Sequence, residues 1–135
     1  MRTLSLLILV LYLAGCENQT SEPSSRLTGT WFSNKELSLL QSDLSSIKPG
    51  KLKFLKENLG DMGFVFKNNQ MTVIFKSDPF TPKEFIEFEV TNSTDDSITI
   101  KPDGGLEAKY TFEGDCYFIK SGKFTEYFCR EKQQP

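Results

Sequence analysis

The chain contains no histidine. That absence leaves Ser121 and Cys116 without an evident general base, so nucleophilic catalysis is not expected, and it removes the commonest side-chain metal ligand. No catalytic residue, metal or cofactor is therefore anticipated. Cysteine is limited to three and tryptophan to one. The basic residues are dispersed along the chain instead of clustered, which argues against a nucleic-acid partner. No internal repeat or low-complexity block occurs. The prominent apolar run, Leu4 to Leu13 (LSLLILVLYL), is too short to span a bilayer as a helix.

What that run does resemble is an export signal. Arg2 supplies a short positive start, and the small pair Ala14-Gly15 leads directly into Cys16. Leu13-Ala14-Gly15-Cys16 is similar to the lipobox of bacterial lipoproteins. The resemblance implies cleavage before Cys16, transfer of diacylglycerol to its thiol and acylation, palmitate included, of the freed amine. One acyl chain binds marginally, at ~0.8 kcal/mol per buried CH₂, whereas a second makes anchoring stable. Glu17 follows where aspartate favours inner-membrane retention. The resemblance therefore implies the outer membrane of a two-membrane bacterium, with the domain facing the periplasm. From Cys16 to Arg26 the chain is polar, carries Pro23 and lacks apolar periodicity, as a solvated tether would. The expected organisation is a signal peptide over 1–15, a lipidated tether over 16–26, one domain over 27–131 and a polar tail over 132–135.

Without residues 1–15, 120 residues remain, one ordinary domain, with 15 basic against 18 acidic side chains and a net charge of about −3. All 12 phenylalanines lie in this part, a density that suits either a tightly filled core or an apolar-lined cavity. Setting Cys16 aside leaves Cys116 and Cys129, an even number in an oxidising compartment. Ser121-Gly122 would turn Cys116–Lys120 and Lys123–Arg130 into a hairpin. Pairing Lys120 with Lys123 places Cys116 opposite Tyr127, with Cys129 on the diagonal. A disulfide then requires a bulge, a longer turn or strong twist; the alternative is two small apolar thiols.

The domain opens with a β-prone stretch, Arg26 to Ser33. Ser33 and Glu36 match a capping box, and Leu37, Leu40, Leu44 and Ile47 recur at helical spacing. Pro49-Gly50 interrupts that pattern, and a second short helix with Leu52, Leu55 and Leu59 on one side stops at Gly60. The period then switches to two: Phe64 and Phe66, an Asn68-Asn69 turn, and Met71, Val73 and Phe75. Ile86, Phe88 and Val90 alternate with Glu87 and Glu89, a pair of carboxylates that reads as a solvated outer face. Asp95-Asp96 reads as a turn before Ile98 and Ile100. Leu106, Ala108, Tyr110 and Phe112 form another alternating stretch before the last hairpin. The expected fold is mainly β: about eight antiparallel strands closing as an up-and-down barrel, with one or two short helices between strands 1 and 2.

Gly29-Thr30-Trp31 on the first strand, the helical pair, the meander and Arg130 on the last strand resemble the calycins, which include lipocalins and fatty-acid-binding proteins. The resemblance implies that Trp31 closes one end of the barrel and that Arg130 packs across its indole. The Arg-x-Tyr carboxylate clamp of fatty-acid-binding proteins is absent, since the chain reads Glu126-Tyr127-Phe128-Cys129-Arg130. Ser121-Gly122 also invites comparison with the Ser-Gly-x-x-Tyr loop of periplasmic lysozyme inhibitors, but position 125 is threonine. Besides a purely structural lipoprotein with a filled barrel, two functions follow, neither enzymatic. One is carriage of a small apolar ligand, with Phe64, Phe66, Phe88 and Tyr110 as candidate lining residues. The other is an envelope protein-interaction module, or inhibitor of a secreted enzyme, with a filled barrel and no ligand. A void or an interlocked core separates them, because a ligand pocket needs ~300 Å³ or more.

Overall fold

The computed structural model describes residues 22–132; Cys16, the expected signal peptide and most of the expected tether lie outside them. Eight antiparallel strands form a closed barrel in sequence order: β1 (Gly29–Ser33), β2 (Met62–Lys67), β3 (Gln70–Phe75), β4 (Ile86–Ser93), β5 (Ser97–Pro102), β6 (Ala108–Glu113), β7 (Cys116–Ser121) and β8 (Phe124–Arg130). Two short helices, α1 (Lys35–Gln41) and α2 (Pro49–Asn58), separate β1 from β2. A 3₁₀ helix, Pro23–Leu27, precedes β1 and takes in residues that the sequence reading places in the tether.

Alternation makes the wall. Inward side chains Trp31, Phe66, Met71, Phe88, Ile98, Ile100, Tyr110, Tyr117 and Phe128 are buried, while Glu87 and Glu89 face water. At the base, Asn68 and Asn69 both adopt positive φ, 52° and 58°, which the two-residue turn between Lys67 and Gln70 requires. Asn tolerates that conformation because its short side chain crowds the backbone little. The helices sit at the opposite, upper end, since they follow the end of β1 and precede the start of β2.

Closure between β8 and β1 departs from ordinary strand pairing. β1 pairs with β8 at Trp31↔Arg130, Phe32↔Cys129 and Ser33↔Phe128, then turns into α1. The rest of the β8 edge is satisfied by the N-cap amide of that helix and by the hydroxyls of Ser38 within it and Ser42 at its C-cap. The Asn34 N–H donates to the Tyr127 carbonyl at 2.7 Å, the Tyr127 N–H donates to Ser38 Oγ at 2.9 Å, and the Thr125 N–H donates to Ser42 Oγ at 2.8 Å. Ser38 and Ser42 are four apart, so both hydroxyls lie on one face of the helix and meet alternate amides of the strand.

This corrects the sequence reading of α1. The buried residue of this helix is Ser38, and Leu40 is 77% exposed. Its N-cap is Asn34, whose side chain accepts from the Leu37 N–H at 3.0 Å, while Ser33 is still in β1 and donates to Glu126. Ser38→Ala should strand the buried Tyr127 amide and cost about 1–3 kcal/mol. Urea denaturation and hydrogen exchange at Tyr127 would register it; unchanged stability with unchanged exchange would argue that the hydroxyl is dispensable.

Candidate functional site

The base of the barrel is closed by residues from both chain ends. Trp31 is 1% exposed; its Nε1 donates to the Leu27 carbonyl at 2.7 Å. Arg130 lies across it, with the guanidinium carbon 4.1 Å from the ring centroid, and donates to the carbonyls of Thr28 at 2.7 Å and Arg26 at 2.8 Å. The glycine of the Gly-x-Trp stretch has a physical reason here. Gly29 holds φ at +129°, and a Cβ there would meet Arg130 Nη1 at 2.9 Å. Arg26 completes the closure by donating to the Ser97 and Asp95 carbonyls at 2.7 and 3.1 Å, which ties the 3₁₀ helix to the β4–β5 turn. Asp95 and Asp96 are therefore turn residues whose carbonyls accept hydrogen bonds, from Arg26 and from the Phe112 N–H.

Above Trp31 the interior is aromatic and interlocked. Tyr117, fully buried, contacts Trp31, Phe66, Tyr110, Phe112 and Phe128 with ring centroids 4.8 to 6.5 Å apart. Phe66 meets Phe64, Phe88 and Tyr110 at 6.1, 5.9 and 6.1 Å. The four candidate lining residues thus touch one another through Phe66, and none of the surface clefts described below includes Phe64, Phe66 or Tyr110. Burial raises the Tyr110 hydroxyl to about 12, and it raises the Tyr117 hydroxyl well above its ordinary value of 10.0, with the Tyr110 and Glu126 charges adding to it. The Tyr117 hydroxyl has no hydrogen-bond partner among the described residues.

Glu126 is the one carboxylate that the register turns inward on β8. It faces Ile119 across the hairpin and accepts a hydrogen bond from Ser33 at 2.9 Å. Burial raises its carboxyl above the ordinary glutamate value of 4.5, and the Ser33 bond offsets part of that. Since the folded state favours the protonated form, ionisation removes stability as pH rises through 4.5 and beyond. Glu126→Gln should therefore raise the unfolding midpoint at pH 7 and lose its advantage below about pH 4. Thermal melts across that range test it; an equal gain at both ends would attribute the effect to packing.

Two features escaped the sequence reading. Strands β3 and β4 pair at only two positions, Gln70↔Glu87 and Met71↔Ile86, so the wall parts above them. There the inward-facing Val73, Phe75 and Ile86 are 43%, 46% and 42% exposed, and a cleft of about 260 Å³ is lined by Met71, Thr72, Val73, Glu84 and Ile86. A larger open cleft, about 580 Å³, runs beside Glu87, Glu89, Lys101 and Asp103 on the rim and outer wall. Among the described residues, no cluster of three or more cysteine or acidic side chains is placed to hold a metal. Ser121 is exposed at a turn.

Cys116 and Cys129 form a disulfide, and their register corrects the expected diagonal. The turn is Gly122-Lys123, with Gly122 at φ 61° and Ser121 paired to Phe124. Moving the turn by one residue from the expected Ser121-Gly122 places Cys116 directly opposite Cys129, so no bulge is needed. Leu106 is likewise corrected: it is 91% exposed in the β5–β6 connection, outside the strand that starts at Ala108. Compared with family models, curated proteins and solved structures, the chain finds no match in any of the three.

Proposed function

We propose that this chain is a lipid-anchored protein of the bacterial envelope whose calycin-like barrel works through its exterior, as an interaction module or an inhibitor of a secreted enzyme. The observation that carries this reading is the aromatic interior, where eight rings from Trp31 to Phe128 pack at centroid distances of 4.8 to 6.5 Å. A residual opening favours a second reading, carriage of a small apolar ligand. It is the gap between β3 and β4, whose cleft of about 260 Å³ falls short of the ~300 Å³ at which ligand pockets begin. Cys16, by its lipobox context, would supply the anchor, and the described chain enters the barrel from its Trp31-closed base.

One experiment addresses the interior and one the anchor. Titration with a fluorescent fatty acid should give no saturable one-to-one binding. Ala108→Phe, at a half-buried position packed against the core, should cost about 1–3 kcal/mol by overpacking. Stoichiometric probe binding abolished by an otherwise harmless Ala108→Phe would reverse the reading in favour of a carrier. For the anchor, Cys16→Ser should prevent lipoprotein processing and acylation; normal acylated product from that variant would remove the lipoprotein assignment.

A further inference from the structure

We infer that the outer face of α2 is the docking surface of this barrel and that its partner is an acidic protein surface bearing apolar side chains. This rests on the reading that the barrel acts through its exterior. The first support is how little the helix gains from its own fold. A helix of ten residues is marginal in isolation and ordinarily depends on a buried apolar face, yet no residue of α2 is buried. Leu52 and Leu55 are only half-buried toward the barrel, and Phe54 on another face is 63% exposed.

Charge identifies the partner. Lys48, Lys51, Lys53 and Lys56 stand on or beside this helix against the single Glu57, in a chain whose net charge is −2. Glu57 engages Lys53 in an exposed pair at 3.8 Å, and no salt bridge among the described residues involves Lys48, Lys51 or Lys56. Lys51 lies three residues before Phe54, one turn away on the same ridge, so a cation and an aromatic ring are presented side by side. Such a surface matches carboxylates set around an apolar side chain, with the aromatic as anchor and the lysines steering approach. The topology also keeps it clear of the chain's entry: α2 lies at the upper end, while the described chain enters at the base. On α2 Phe54 is the single large apolar side chain that stands exposed, whereas a helix lying in a lipid surface needs a whole apolar face, which favours a protein over a lipid surface.

The test uses the full lipidated chain in its membrane. A photo-crosslinking amino acid replaces Phe54 in one version and Glu89, on the outer wall, in another; adducts are identified by mass spectrometry. In parallel, the purified protein is titrated with two labelled peptides of identical apolar residues, one with aspartates and glutamates and one with lysines, and with phosphatidylglycerol vesicles. The acidic peptide should bind with an affinity that falls as salt rises, and Lys51→Glu with Lys53→Glu should weaken it about tenfold or more, the equivalent of ~1.4 kcal/mol. Those substitutions should leave the fold intact because neither side chain is buried. An adduct from position 54 to a protein with an acidic face supports the inference. Adducts from position 89 alone overturn it while leaving the exterior reading standing, and no adduct from either position overturns both. Equal binding of the two peptides, no binding of the acidic one, or vesicle binding as tight as peptide binding each overturns the inference as well.

Discussion

Trp31→Ala should be the most damaging single substitution in this barrel, lowering stability by about 3–5 kcal/mol, a large share of the 5–15 kcal/mol that holds a typical domain together. The ring is 1% exposed and lies between Tyr117, 4.8 Å away by centroid, and the Arg130 guanidinium at 4.1 Å. Its removal opens a cavity at the base, deprives the Leu27 carbonyl of its donor and takes the aromatic surface from beneath Arg130. Trp31→Phe separates these effects. It keeps a ring against Tyr117 but strands the Leu27 carbonyl, a loss of about 1–3 kcal/mol. Arg130→Ala removes a cation–π contact of ~0.5–2 kcal/mol together with two hydrogen bonds to the 3₁₀ helix. Urea denaturation of the three variants should rank Trp31→Ala as the most destabilised. A loss below about 1 kcal/mol for Trp31→Ala would show that the base does not depend on the indole.

The barrel was legible where burial follows alternation. Ile86, Phe88 and Val90 against Glu87 and Glu89 announce a strand with one wet face, and such stretches together specify the meander. Alternation does not say where pairing begins or ends. Leu106 continues the period two residues ahead of β6 yet is exposed, because the β5–β6 connection passes through it. The turn lies at Gly122-Lys123, one residue beyond the Ser121-Gly122 that composition favours, enough to separate a direct cysteine pair from a diagonal one. Helix α1 was found by its leucines, although its contact with β8 is made by Ser38 and Ser42. A hydroxyl standing in for a strand carries no periodic apolar signal, so the closing seam could be recognised only once both partners had positions. The same holds for the interior. The sequence presents Phe64, Phe66, Phe88 and Tyr110 as inward residues, but whether they enclose a void depends on rotamers and strand tilt. The outward-facing lysines of α2 and the parting of β3 from β4 likewise emerge only from three-dimensional placement.

Removal of the disulfide should be the second large effect. Cys116 and Cys129 lie 13 residues apart in sequence and directly opposite across the β7–β8 hairpin. Closing a loop of that length restricts the unfolded chain by about 3 kcal/mol in the chain-entropy description, within the usual range of ~2–4 kcal/mol. The bond also holds a particular register. A slip of one residue would put Tyr117 and Phe128, both buried in the core, on opposite faces of the hairpin, and direct cysteine pairing opposes that slip. Cys116→Ala with Cys129→Ala should therefore lower the unfolding midpoint in urea by the equivalent of ~2–4 kcal/mol while leaving the barrel folded, because the aromatic core does not involve either sulfur. The single substitution Cys129→Ala should cost as much and expose a free Cys116 thiol. Alkylation before and after reduction, read by mass spectrometry, should find both cysteines blocked in the parent until reductant is added. Two alkylated cysteines in the unreduced parent, or identical urea midpoints with and without reductant, would show that the bond is absent or contributes nothing to stability.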